Sequence, residues 1–200
     1  MMRLRHSPSS PFVRKVMIVL HETGLLDQVT LESGATTPYD SNPEVVAINP
    51  LGKIPCLVTP EGQGIYDSTV ITRYLDGLHG GEKLYPTGAA EIPTLVLEAT
   101  GNAMMEAGIA VVYEGRLREE GKRSEEWMAA QRAKIARALD ALEGRKFADK
   151  LDIGQIALGC ALGYLDFRFE AWDWRSGRPG LAAFARRMAK RPSFEATKPA

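Results

Sequence analysis

Through residue 88 the hydrophobic positions come in short runs that switch between two periods, and beyond it they keep a helical period almost throughout. Arg3 to His6 reads as a strand and is followed by the polar turn Ser7-Pro8-Ser9-Ser10. Phe12, Val16, Val19, Leu20 and Thr23 then recur at helical spacing, with Gly24 placed as the left-handed residue that ends the helix. Gln28 to Glu32 reads as a second strand, and Pro43 to Ile48 as a short helix opened by Asn42. A hairpin follows: Pro55 to Thr59, a Pro60-Glu61-Gly62 turn, then Gln63 to Tyr66. Asp67-Ser68 caps a helix whose apolar face is Val70, Ile71, Tyr74, Leu75 and Leu78, closing at Gly80-Gly81. The predicted order is βαβα followed by ββα.

After Pro86-Thr87-Gly88, a long helix over about Ala90 to Glu119 presents Ile92, Leu95, Val96, Ala99, Ala103, Ala107, Ala110 and Val111. A second, about Ser124 to Glu143, shows Gln131, Ile135, Leu139 and Leu142 on one face. Ile153 to Phe167 is almost wholly apolar, which predicts a helix buried on all sides. Asp152 and Gln155 stand at capping-box spacing before it, with Asp152 as N-cap and Gln155 as its reciprocal partner. A basic helix around Leu181 to Lys190 and a proline-containing tail complete the chain. Eight of the twelve prolines lie in residues 1–88, so the change of texture marks a domain boundary, with domains over 1–82 and 89–200.

Composition narrows the classes of function. Among 200 residues, 25 Lys+Arg balance 25 Asp+Glu, which disfavours a nucleic-acid binder that works by bulk charge. The balance hides a basic C-terminal stretch: from Arg175 onward there are seven basic residues and only Glu195, read here as solvated helix surface. The two cysteines, Cys56 and Cys160, have no CxxC spacing, so neither a disulfide scaffold nor a structural zinc site is expected. Cys56 reads as a buried strand residue, and His6, His21 and His79 are scattered as surface or cap residues, with no metal cluster. No secretory h-region and no uncharged run long enough to span a bilayer is present, so the expectation is a cytoplasmic protein without a membrane partner.

Three loop motifs carry the chemistry. Ser7-Pro8-Ser9-Ser10-Pro11-Phe12-Val13-Arg14-Lys15 is a strand-to-helix turn with proline at the first helical position. Asn49-Pro50-Leu51-Gly52-Lys53-Ile54-Pro55 enters a strand, where a cis Pro55 would turn the backbone of Ile54 toward a ligand. Asp67-Ser68 heads a helix, where free N–H groups and the positive dipole end favour an anion. Each alone reads as a plain cap or turn.

Taken in this order and spacing, the three motifs resemble the glutathione S-transferase family over essentially the whole chain, and look like a bacterial cytosolic branch of it. The resemblance implies an α/β thioredoxin-like N-terminal domain with a mixed four-stranded sheet, then an all-helical (all-α) C-terminal domain. It differs at the helix-starting signal, where the family usually has Ser or Thr first and Asp last, against Asp152 and Gln155 here. It implies glutathione as co-substrate and no metal. Ile54, held by a cis Pro55, would pair its backbone with the cysteinyl part of glutathione as an added strand does. Ser68 and the helix amides would take the γ-glutamyl carboxylate, Asp67 its ammonium group, directly or in part from a neighbouring subunit of a homodimer, and Lys53 the glycine carboxylate.

Ser10 would donate a hydrogen bond to the glutathione sulfur, with Ser7 and Ser9 as alternatives in register. A free thiol has a pKa of about 8.5–9, and the thiolate is the nucleophile. A hydrogen bond to a charged group is worth about 1.5–3 kcal/mol and a helix N-terminus about 0.3–1 kcal/mol, together lowering the thiol pKa by roughly 1–3 units. Ser10-Pro11-Phe12-Val13 stands where a glutaredoxin carries its two cysteines, so thiol–disulfide exchange through the protein is disfavoured. The resemblance therefore implies a glutathione transferase acting on a small hydrophobic electrophile, with peroxide reduction as a side reaction. The acceptor site would lie between the domains, lined by Phe12 and by the long helix near Met104, Met105, Gly108 and Tyr113. A glutathione-binding or regulatory protein of this fold without turnover is the alternative.

Overall fold

In the computed structural model, which describes residues 1–199, β1 (Met2–His6) sits inside the sheet, with Met2 and Leu4 buried and Arg3 and Arg5 on the opposite side. β2 (Val29–Ser33) pairs with it in parallel, Leu4 opposite Leu31. β3 (Cys56–Val58) pairs antiparallel on its other edge, Arg5 opposite Cys56, and β4 (Gly64–Ile65) closes the order β2-β1-β3-β4. A parallel pair needs a crossover, and α1 (Pro11–Thr23) supplies it, ending at Gly24 with φ 69°. α2 is the single turn Pro43–Val46, capped by Asn42, whose Oδ1 accepts the Glu44 N–H at 2.9 Å. α3 (Ser68–Leu78) packs against α1, and Ile18, Leu20, Ile71 and Leu75 are fully buried. Each such side chain is worth about 1.5–3 kcal/mol relative to exposure. This is the mixed sheet and thioredoxin-like order that the loop motifs imply.

α3 stops at Leu78, short of the expected Gly80-Gly81. The His79 ring terminates it: Nδ1 accepts from the Gly81 N–H at 3.1 Å, which leaves Nε2 to donate to Asp76 Oδ1 at 3.1 Å. Asp76, also buried, accepts the Leu84 N–H at 2.8 Å. The buried face of α3 runs through Ile71, Thr72, Leu75 and Asp76, whereas Val70 and Leu78 are exposed. Thr72 is tolerated inside because its hydroxyl meets the Ser68 carbonyl at 2.9 Å and Tyr85 Oη at 2.8 Å.

The second unit, Pro86–Arg191, is helical: α4 (Glu91–Leu117), α5 (Glu125–Leu142), α6 (Ile153–Arg168) and α7 (Pro179–Ala189). Residues 153–162 are buried without a break, as their apolar run predicts. α4 meets α6 at backbone distance. A Cβ on Gly154 would lie 2.7 Å from the Thr94 carbonyl oxygen, and one on Gly101 would lie 2.6 Å from the Ala157 carbonyl carbon. One on Gly108 would lie 3.2 Å from the Tyr164 ring, so contacts advance in the same direction along both helices and the two run parallel.

That contact turns α4 away from the face its hydrophobic residues suggest. Leu97, Met104, Met105, Ala107 and Val111 are buried, while Ile92 and Val96 are 65% and 56% exposed. Glycine carries no hydrophobic signal, yet it admits the closest approach. The stretch Gly88–Leu117 contains an 18-residue window of mean hydropathy 1.3, long and apolar enough to cross a bilayer although it carries charges. Here its buried face is pressed on α6.

Asp152 caps α6 as expected, its Oδ1 accepting the Gln155 N–H at 2.8 Å, but the reciprocal half is rearranged. Gln155 Nε2 donates to the Lys150 carbonyl at 2.7 Å, and its Oε1 accepts from Arg187 Nη2 at 3.3 Å. The tail is a second correction: the chain from Pro192 belongs with residues 1–85, not with the helical unit. α8 (Pro192–Ala196) packs on α1, with Phe194 buried, its carbonyl accepting from Arg14 Nη2 at 3.1 Å and its ring 5.4 Å from the Arg14 guanidinium.

Candidate functional site

The strand register gathers the three loop motifs at one end of the sheet. β1 runs out at His6 into the Ser7–Ser10 turn, and the antiparallel pairing of Arg5 with Cys56 sets the start of β3, preceded by Ile54-Pro55, beside that exit. Ile65 pairs with Leu57, so β4 leaves at the same end into Asp67 and α3. The Ile54–Pro55 peptide is cis, and so is Tyr66–Asp67.

Ser10 is the N-cap of α1: its Oγ accepts the Val13 N–H at 3.3 Å. The oxygen is thus used as an acceptor, and the hydroxyl proton remains to be donated elsewhere. Ser7 and Ser9, half-buried, hold their oxygens 3.4 Å apart, so one of the two is spent on the other. A shallow hollow of about 270 Å³, bordered by Ser7, Pro8, Ser33 and Ala35, opens beside this turn.

The loop before Ile54 is held from inside. Buried Asn49 donates from Nδ2 to the Lys53 carbonyl at 2.8 Å and accepts the Leu51 N–H on Oδ1 at 3.1 Å. Gly52 takes φ 63°, and a Cβ there would fall 2.9 Å from Ser41 Oγ, so glycine is required twice over. Lys53 itself is exposed. At the third motif, Asp67 is exposed and its Oδ1 accepts the Thr69 N–H at 2.9 Å, while Ser68 is only 2% exposed at the first position of α3. What α3 offers a ligand there is chiefly its amides and dipole.

Two supporting residues escape the sequence reading. Asn49 lies inside the motif that holds Pro50, Lys53 and Pro55, and the signal for it is an Asn-Pro opening a turn closed by glycine. Lys15 is fully buried, with Nζ 3.5 Å from Thr69 Oγ1, so it ties α1 to the first turn of α3. A lysine amid Val13, Val16 and Ile18 is the only trace of this in the sequence.

Cys56 is fully buried on β3, where burial pushes its thiol up to about 11, with Arg5 partly opposing the shift. It is a strand residue and not a nucleophile. Of the residues expected at an acceptor site, Phe12 is half-buried on α1 and Tyr113 is 36% exposed on α4, whereas Met104 and Met105 are buried and act in packing.

The chain is similar to known proteins in both sequence and fold. Residues 9–78 match the family model for the glutathione S-transferase N-terminal domain, and residues 125–187 match that for the C-terminal domain. The uncharacterized GST-like protein YibF of Escherichia coli K12 is 37% identical over 204 residues, covering 99% of this chain and 98% of its own. A glutathione transferase family member from Pseudomonas fluorescens Pf-5, solved with bound glutathione, is 44% identical, covers 100% of both chains and superposes with a TM-score of 0.98. A second structure from that organism holds S-(propanoic acid)-glutathione, with a TM-score of 0.93 at 44% identity and 100% coverage of both chains. Likeness of this extent in sequence and in backbone means that the chain belongs to the glutathione S-transferase family.

Proposed function

We propose that this chain is a glutathione transferase that activates the glutathione thiol at Ser10 for attack on a small electrophile. The observation that carries the reading is the convergence of Ser10, Ile54-Pro55 and Asp67-Ser68 at one end of the sheet. Ile54 offers its backbone to the cysteinyl unit, the opening amides of α3 and Ser68 receive the γ-glutamyl carboxylate, and Asp67 faces the ammonium. Lys53, on the loop that Asn49 braces, meets the glycine carboxylate. The Ser10 hydroxyl, already accepting from Val13, points its proton at the sulfur and favours the thiolate. The sulfur then bonds to the electrophilic carbon as a leaving group departs, or as a proton reaches the adjacent carbon of an unsaturated acceptor. That the Pseudomonas relative holds a glutathione substituted at sulfur supports conjugation as the reaction class. Phe12 is the acceptor residue on the first unit and Tyr113 that on the helical unit, where Met105 is buried.

The protein acts as a cytoplasmic homodimer, the N-terminal unit of one copy against the helical unit of the other. Each unit leaves an apolar stripe uncovered, Val70 and Leu78 on α3 and Ile92 and Val96 on α4, which supports that pairing. Light scattering should give a dimer, and Val96→Lys a folded monomer; a monomeric wild type would remove this claim.

Calorimetric titration with glutathione, alongside a panel of aryl halides, epoxides, enones and hydroperoxides, tests the main reading. Failure to bind glutathione at millimolar concentration overturns it. Binding without turnover on any acceptor would point instead to a binding or regulatory protein.

A further inference from the structure

Lys53 is exposed, yet the carbonyls on either side of its Cα are both tied down. The one before it, on Gly52, accepts from the Thr36 hydroxyl at 3.0 Å, and its own accepts from Asn49 Nδ2 at 2.8 Å. The Lys53–Ile54 peptide is trans, so its C=O and N–H point opposite ways. Drawing the carbonyl toward buried Asn49 therefore turns the Ile54 N–H away from that side chain.

Asn49 belongs to the same turn as Lys53, but Thr36 comes from the loop that follows β2, 16 positions before Gly52. Its oxygen also accepts the Asn42 N–H at 3.4 Å, so the hydroxyl is used as donor and as acceptor. Asn42 caps α2, and Glu44 in that turn accepts from Arg5 Nη1 at 2.6 Å, which carries the connection to β1. Val45 on the same turn is fully buried. At the start of the loop, the Gly34 N–H donates to the His6 carbonyl at 2.9 Å, and a Cβ on Gly34 would fall 3.0 Å from the His6 nitrogen. The loop and α2 are thus anchored on the sheet, and the Thr36 hydroxyl fastens that frame to the turn bearing Lys53.

We infer that Thr36 is a positioning residue for the glycine end of glutathione: by fixing the Gly52–Lys53 peptide it holds the base of the Lys53 side chain where the glycine carboxylate arrives. An exposed ion pair gains little when both partners must be ordered as it forms, and a backbone fixed beforehand removes part of that cost. Thr36 thereby sets how far the protein prefers a charged glycine end to a neutral one. Assigning this to glutathione rests on the transferase reading and on Lys53 as the partner of its glycine carboxylate.

Calorimetric titration of the full chain with glutathione, and with glutathione amide, in which the glycine carboxylate is a carboxamide, tests this. The wild type should bind the acid at least about fivefold more tightly than the amide. Thr36→Val, which keeps the shape and removes the hydroxyl, should reduce that preference to within about twofold by weakening the acid, with the amide unchanged to within about twofold. Thr36→Ser, which retains the hydroxyl, should keep the wild-type preference. In Lys53→Gln the preference should already be gone, and adding Thr36→Val should change it no further, as expected of residues that act through one another. A preference that survives Thr36→Val, an equal loss for acid and amide, or an effect of Thr36→Val that persists beside Lys53→Gln would each overturn the inference. Thr36 is half-buried in a loop, and Thr36→Ala supplies the same reading if valine is not accommodated. Loss of the glutathione reading shows separately, as a wild type that binds neither ligand at millimolar concentration. A wild type that binds both equally would remove the Lys53 assignment and the role of Thr36 with it.

Discussion

At Ser10 the oxygen that closes the first turn of α1 also carries the hydrogen proposed for the glutathione sulfur, so one substitution probes both roles. Ser10→Ala should cost about 0.5–2 kcal/mol of stability as a lost cap. It should also raise the apparent pKa of bound glutathione by about 1–2 units, read from thiolate absorbance against pH. An unshifted pKa with only a stability loss would leave Ser10 a cap and nothing more. Cys56 gives the opposite kind of shift. Its buried thiol titrates only near about 11, whereas an unfolded thiol starts from 9.0, so above pH 9 the unfolded chain sheds a proton that the folded chain keeps. Stability should therefore fall as pH rises from 9 toward 11, by up to about 1.4 kcal/mol per unit. Urea midpoints at the two ends of that range, compared with Cys56→Ala, isolate the effect; an identical slope in the variant would contradict it. Single residues were legible in the sequence where their partner is local, as at Ser10, Asp67 and Asp152. Asn49 and Lys15 were not, because the first gains its role from a loop folding back and the second from a helix 54 positions away in the hydrogen bond to Thr69.

Elements were easiest to read where period and caps agree. α1, the hairpin and α6 stand within a few residues of their expected places, but the orientation of α4 does not follow from its sequence. A helix apolar nearly all round has no unique face, and the seam with α6 is chosen by the glycines that let backbones touch. Gly101→Val forces side-chain atoms onto the Ala157–Leu158 backbone, so it should destabilise by about 1–3 kcal/mol or more in chemical denaturation. Ile92→Ala, on the exposed side of the same helix, should stay within about 0.5 kcal/mol in the monomer. The basic segment after Arg175, expected as solvated surface, is partly a set of pins: Arg175 grips Asp166 with two bonds of 2.7 Å, and Arg178 Nε meets Asp140 at 2.8 Å.

At the scale of the molecule, the two-part division was legible from the change of hydrophobic period, and the place of the tail was not. Nothing about Pro192–Ala196 on its own distinguishes a helix that ends the helical unit from one that returns to α1. The return is fixed by Phe194 and by the Arg14 bond to its carbonyl, contacts that no local pattern encodes. Removing the chain from Pro192 should destabilise the first unit by at least the roughly 1.5–3 kcal/mol of one buried aromatic side chain, read as a fall in its denaturation midpoint, and leave the helical unit's signal in place. The same return also sets an order of assembly during synthesis. A ribosome releases α1 and the sheet early, but the segment that covers α1 emerges only after all of Pro86–Arg191 has been made. Until then the nascent N-terminal unit stands open where Phe194 will dock, exposed to chaperones and proteases for the whole time that the helical unit is being translated.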